Sequence, residues 1–305
     1  MRVLGESSVG GFKVRLFRVD SLVVGIPTEI GPRILHLAHA EAPDVNLFGV
    51  VPEFAVETPE GRWRIFGGHR LWTSPEAMPR TYSLDDKPVR VEVREGGVVV
   101  EGNPEPQNSV RKRIVIRPRG DGGGVEVVHE VENIGRWPIR FACWAISVMS
   151  RGGFAVVPVR AEPVDERGLL PDRVIALWPY TDLRDERLIL GTSYVIVRQD
   201  PRVEKPLKIG VRARPSWAAY WAGGYLFVKE VHFEEGAPYP DFQSSVEVYT
   251  NNLFLELESL GPLREVAPGG VNRHVEIWRV IRVGELKPSE EDAEKIESIL
   301  QPAQR

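Results

Sequence analysis

Two-residue alternation broken by paired glycines recurs along this chain, and it restricts the fold to sheet. Val89, Val91 and Val93 alternate with Arg90, Glu92 and Arg94, and Gly96-Gly97 supplies a turn before Val98-Val99-Val100. Side chains two apart share one face of a strand, so this pattern buries valine and wets the charges. Glycine accepts the positive φ of a tight reversal, which makes the segment a hairpin. The device repeats at Arg113-Ile114-Val115-Ile116-Arg117, a turn at Asp121-Gly122-Gly123-Gly124, and Val125-Glu126-Val127. Further β-rich runs occupy residues 12–18, 22–26, 154–159, 189–198, 224–233, 245–258 and 273–283. The 25 prolines and 29 glycines act as punctuation between short strands.

Helix signals wait until the end. Ser289 stands three residues before Asp292, a short-acid variant of the capping box, and leads into Glu290–Leu300. Ile296 and Leu300 give that helix one apolar edge, which is expected to pack on the outside of the sheets. No linker and no fixed-period repeat divides the chain. The expectation is one domain over residues 1–305, all-β, a large antiparallel two-sheet sandwich with a short C-terminal helix.

Composition narrows the partners. The net charge of −4 comes with no long basic run, so nucleic acid is not expected; Arg111-Lys112-Arg113 reads as a solvated strand edge. No stretch of about 18 apolar residues exists to cross a membrane. The start, Met1 to Glu6, lacks the apolar core of a secretion signal. The single cysteine, Cys143, lies in the apolar run 141–146 and is expected to be a small buried side chain. A reducing, cytoplasmic setting fits these features.

No phosphate-cradling glycine loop, nucleophile elbow or zinc pattern is present. His36 and His39, three apart on a strand, point to opposite faces, so a metal shared between them is not expected, and no motif calls for another metal or a cofactor. Two segments carry candidate chemistry. In the first, Gly67-Gly68 permits close backbone approach, and His69, Arg70, Trp72 and Glu76 follow. The bland alternative is a strand-to-loop junction with a buried Trp72 and a salt-bridged Arg70. In the second, residues 245–258, alternation puts Leu253, Leu255 and Leu257 on one face and Asn252, Phe254, Glu256 and Glu258 on the other. If that second face is solvated, the glutamates need no explanation; if it lines a cleft, neighbouring carboxylates raise one pKa and suit it to acid–base work. Asn251-Asn252 can also break this register with a turn. Trp72, Trp144, Trp178, Trp217 and Trp221 lie near polar neighbours, a pattern that serves sugar faces and sandwich cores equally.

In this order the segments resemble the galactose mutarotase-like (aldose 1-epimerase) superfamily, an uncharacterised branch of it. The resemblance is carried by Glu29-Ile30-Gly31-Pro32-Arg33-Ile34 with Asn46-Leu47, by residues 67–76, and by residues 131–138 leading into Trp144. Leu257-Glu258-Ser259-Leu260-Gly261-Pro262 and Ala267-Pro268-Gly269 with His274-Val275-Glu276-Ile277-Trp278 complete it. It implies a two-sheet supersandwich that binds a small-molecule carbohydrate, with Arg70 as a substrate-binding arginine and Glu258 as general base. Trp144 stands where mutarotases carry a histidine general acid, and an indole only donates a neutral N–H. His69 is then the candidate acid. Arg70, Trp72, Glu76, Trp144, Lys229, Tyr249, Asn251 and Glu256 are the candidate substrate contacts. The expected function is an aldose 1-epimerase-like isomerase; a non-catalytic carbohydrate-binding module and a structural or interaction domain remain the alternatives.

Overall fold

The computed structural model describes residues 1–94, 96–120 and 124–300. Two large antiparallel sheets face one another across a continuous apolar core. The ten-stranded sheet runs from the edge strand Leu188–Leu190 to the edge strand Arg90–Arg94. The eight-stranded sheet has the order Ile175–Leu177, Leu207–Val211, Val246–Thr250, Leu255–Leu260, Ile139–Met149, His69–Ser74 and Arg33–Ile34, with Arg264–Val266 paired beside Ile139–Met149. A four-stranded N-terminal sheet and the small hairpin Ala55–Thr58/Gly61–Arg64 complete the strands. This is the two-sheet sandwich that the alternation predicts.

The alternation sets which side chains meet. Leu71, Cys143, Ile209, Val248, Leu255 and Leu257 point from the eight-stranded sheet into the core, against Ile114, Val127, Phe227 and Trp278 of the other sheet. Cys143 is fully buried, and burial pushes its thiol pKa up, as its apolar neighbours predict. The Gly96-Gly97 hairpin forms with Arg94 opposite Gly97 and Val93 opposite Val98. Of the turn expected at 121–124, the first three residues lie outside the described residues.

The run 245–258 is two strands. Asn251 Oδ1 accepts from the N–H groups of Leu253 and Phe254 at 2.8 and 3.0 Å, an Asx turn that takes Leu253 out of register. The run 189–198 splits likewise into Leu188–Leu190 and Tyr194–Arg198. The C-terminal helix spans Glu290–Leu300, and Ser289 Oγ accepts from the Asp292 N–H at 3.3 Å. Its Ala293 and Ile296 pack on Phe154, Trp217 and Leu226, on the outer face of the ten-stranded sheet.

Gly67 and Gly68 do need to be glycine. Both have left-handed φ, and a Cβ on either would stand 2.2 Å from a carbonyl oxygen, of Gly49 and of Ile34 respectively. The buried Arg33 guanidinium donates to the carbonyls of Ile65 (2.8 Å) and Gly67 (2.6 Å) and pairs with Asp85. This clamp fixes the entry to strand His69–Ser74, and through it the position of Arg70 and Trp72.

Candidate functional site

The face of the eight-stranded sheet that looks away from the core is itself covered. Register lines Arg70, Ile146, Glu258 and Glu247 into one cross-strand row. Val148, Glu256, Tyr249 and Lys208 form the next, and Trp72 stands opposite Trp144. Directly opposed residues bring their side chains to within about 5 Å, so each row is a set of touching neighbours. The strand Gly61–Arg64 of the small hairpin folds over this face and lays Trp63 against Trp72, ring centres 5.2 Å apart.

A cavity of about 320 Å3 remains between sheet and cover. Trp63, Trp72, Trp144, Trp178, Tyr82 and Tyr180 supply much of its wall, with Glu76 and Glu256 among its polar members. Aromatic faces with a few placed polar groups are the usual make-up of a small-molecule pocket.

Ion pairs underlie the aromatic wall. Arg70 Nη2 lies 2.8 Å from Glu256 Oε1, and its guanidinium sits 4.3 Å above the Trp72 ring. Lys208 Nζ is 2.8 Å from Glu247 and 3.0 Å from Glu258, and lies over the rings of both Trp144 and Trp178. Trp144 Nε1 donates to Glu258 Oε2 at 2.8 Å. Glu258 is 1% exposed and Glu256 8%, so the two glutamates are not on a solvated face.

Glu247 and Glu258 are directly opposed across two strands, a repulsive arrangement that Lys208 bridges. Burial opposes the lysine's charge, but the two carboxylates more than compensate and hold its pKa well above the ordinary value. Burial, with Glu258 nearby, raises the Glu247 pKa well above the carboxylate range against the pull of Lys208. Burial also raises Glu256, against Arg70. Three carboxylates thus face two cations, and burial pushes two of them, Glu247 and Glu256, toward the protonated form. Glu258 Oε1, Arg70 Nε and Nη1, and Trp63 Nε1 are buried without a hydrogen-bond partner.

His69 and Lys229 are elsewhere. Along His69–Ser74 the histidine points the opposite way from Arg70, into the space between the sheets. Its Nδ1 is 2.8 Å from Ser147 Oγ and its Nε2 2.7 Å from His129 Nε2. His129 Nδ1 donates to the His274 carbonyl, so His69 Nε2 carries the proton shared with His129, and Ser147 donates to His69. Lys229 Nζ is 3.0 Å from Glu276 and donates to the carbonyls of Ala145 and Leu257. Trp278 Nε1 and Ser259 donate to the same carboxylate. His69, His129 and Glu276 bring three ligand-type atoms within 4.8 Å of one another. Each of those atoms already has a protein partner, and Lys229 balances the charge of Glu276. Burial lowers the pKa of all three histidines: His69 well below its usual value, His129 to about 4 and His274 to about 3.

The expected site is therefore divided. Arg70, Trp72, Glu76, Trp144, Tyr249 and Glu256 converge on the pocket or its floor, with Glu258 directly beneath Trp144. His69 and Lys229 belong to the inter-sheet network: His69 is one residue of strand register away from the pocket face, and Lys229 points into the core from the ten-stranded sheet. The Asn251 side chain caps the Asx turn and does not line the cavity. Trp217 and Trp221 lie under or beside the C-terminal helix. Sequence reasoning missed Lys208, Glu247, Trp63 and Tyr82. For Lys208 a signal existed: it precedes Ile209 in an alternating strand, which turns it to the same face as Tyr249.

No protein-family model matches the sequence, and no curated protein resembles it detectably. Solved structures resemble it in fold. A TPR-domain containing protein from Parabacteroides distasonis superposes with a TM-score of 0.61 at 12% identity, over 96% of this chain; the chain spans 50% of that protein's length. The Slr1438 protein of Synechocystis gives 0.54 at 10% identity, covering 88% of this chain and 96% of that one. A galactose mutarotase-like protein from Lactobacillus casei gives 0.52 at 10% identity, covering 88% of this chain and 100% of that one.

Proposed function

We propose that a chain with this galactose mutarotase-like fold binds a small carbohydrate in the aromatic pocket. One observation carries the proposal. Indole and phenol rings surround a cavity whose floor holds a guanidinium–carboxylate pair and partnerless buried polar atoms. Aromatic faces match the apolar C–H face of a pyranose, and the ionised groups match its hydroxyls. At about 320 Å3 the cavity suits one or two sugar rings rather than a long polysaccharide. Arg70, Trp72, Trp144, Glu256 and Tyr249 are the proposed contacts.

A turnover reading, epimerase-like interconversion of anomers, is favoured by one feature. Glu258 keeps Oε1 unpartnered while Trp144 and Lys208 hold Oε2, which leaves a carboxylate oxygen free to accept a proton. The matching acid is not His69, which faces the core. The Lys208 ammonium, which lines the pocket, is the candidate proton donor. Polarimetry of freshly dissolved α-sugars tests this. Acceleration by the wild type and its loss in Glu258→Gln support turnover. Binding without acceleration leaves the protein a carbohydrate-binding module.

A further inference from the structure

A second cavity, of about 500 Å3, opens beyond the other end of strand Leu207–Val211 and shares no lining residue with the aromatic pocket. It lies where the two large sheets come together at their edges. Ile175 belongs to the edge strand of one and Leu190 to the edge strand of the other, and Val159 bridges to Arg214. Its apolar wall includes Val159, Val195 and Leu190.

Charge on this wall is unbalanced. Arg173, Arg212 and Arg214 line it against a single acid, Asp172. Arg173 is engaged, donating to the carbonyls of Val159 and Thr192 at 3.1 and 2.9 Å. Arg212 and Arg214, two apart, are held from outside. Arg212 lies 4.0 Å over the Phe233 ring and pairs with Glu235, while Arg214 is 3.7 Å from Glu162. Both of those glutamates are mostly exposed, at 74% and 67%, and solvent screens them. Arg212 Nε and Arg214 Nε and Nη1 are buried without a hydrogen-bond partner. Burial, and then the like charge of Arg214, lowers the Arg212 pKa.

The rim is strained. Asp241, Phe242 and Gln243 have φ of 48°, 58° and 71°, three consecutive left-handed residues without a glycine. Such positions are sterically unfavourable for residues that carry a side chain and persist only where the surroundings enforce them. Gln243 Oε1 accepts from the Tyr239 N–H at 2.9 Å, and Ser244 Oγ donates to the Asp241 carbonyl at 2.6 Å. The strained turn leaves Phe242 79% exposed at the mouth of the cavity.

We infer that this cavity is a second binding site, for a small amphipathic anion. Arg212 and Arg214 hold its carboxylate or phosphate, and its apolar body lies along Val159, Val195 and Leu190 against Phe242. Two guanidiniums with free N–H groups recognise an oxyanion in a fixed geometry, and the apolar wall adds contact that an anion with an apolar body can use and inorganic phosphate cannot.

Calorimetric titration of the full chain with 2-naphthoate, 2-naphthyl phosphate and neutral 2-naphthylmethanol tests the site. At least one anion should bind one-to-one and about tenfold or more tighter than the alcohol. Arg212→Gln and Arg214→Gln should each weaken it about tenfold, and Phe242→Ala several-fold, with sugar binding at the aromatic pocket unchanged. If the arginine variants do not fold, the wild type still decides. Raising ionic strength from about 20 to 300 mM should weaken the anion and not the alcohol. Equal affinity for anion and alcohol, no saturable heat up to about 5 mM, or wild-type affinity in both folded arginine variants would overturn the assignment.

Discussion

Trp144 donates its indole N–H to Glu258 across 2.8 Å, from one strand of the pocket floor to the next. The position where the resemblance anticipates an acid thus holds the anticipated base in place. Trp144→Phe removes that donor and leaves a buried carboxylate oxygen with only Lys208. A loss of about 1–3 kcal/mol in urea unfolding is expected, since the desolvated acceptor loses its partner. An unchanged midpoint and slope would contradict the pairing.

Lys208 is the cation that lets Glu247 and Glu258 face each other. Lys208→Met should destabilise by about 3–5 kcal/mol, the cost of stranding buried charge. Adding Glu247→Gln should recover part of that loss, because one of the two repelling carboxylates is then neutral. A double variant no more stable than Lys208→Met would show that the three groups are not coupled.

The inter-sheet histidines make acid sensitivity predictable. Each titrates near 6.5 when unfolded and stays neutral to lower pH when folded. As pH falls below about 6.5 the unfolded chain gains protons that the folded chain excludes. Stability then falls by up to ~1.4 kcal/mol per pH unit for each histidine. Glu247 and Glu256 have the opposite sign, since their raised folded values bind protons sooner than the unfolded chain does. Three imidazoles outweigh two carboxylates, so unfolding free energy should decline from pH 6.5 to 4.5. Glu247→Gln should steepen that decline. A flat profile in both proteins would contradict it.

Much of this was legible in the sequence. The hairpin at Gly96-Gly97, the capped C-terminal helix and the inward set Leu255, Leu257 follow from alternation and turn chemistry alone. Glu256 and Glu258 were found as a pair, but not their burial, because no local pattern reveals that a hairpin 190 or so residues earlier covers their face. His69 lies outside the pocket for a simpler reason. It is adjacent to Arg70, and adjacent residues of a strand point to opposite faces. Lys229 belongs to the ten-stranded sheet, whose register turns it into the core, and its local sequence does not disclose that.

Removing His69 therefore separates network from pocket. His69→Gln should lower stability by about 1–3 kcal/mol while leaving sugar affinity within about twofold, because the side chain lies on the other face of its strand. Affinity lost in a variant that remains folded would return His69 to the site.

The most direct test is titration of the wild-type chain with a panel of neutral mono- and disaccharides, followed by tryptophan fluorescence and calorimetry. The account predicts saturable binding of at least one sugar with Kd near or below about 1 mM. Trp72→Ala and Arg70→Met should each weaken it tenfold or more, by about 1.4 kcal/mol. No binding across the panel, or binding indifferent to both substitutions, would contradict the assignment of this pocket to a carbohydrate.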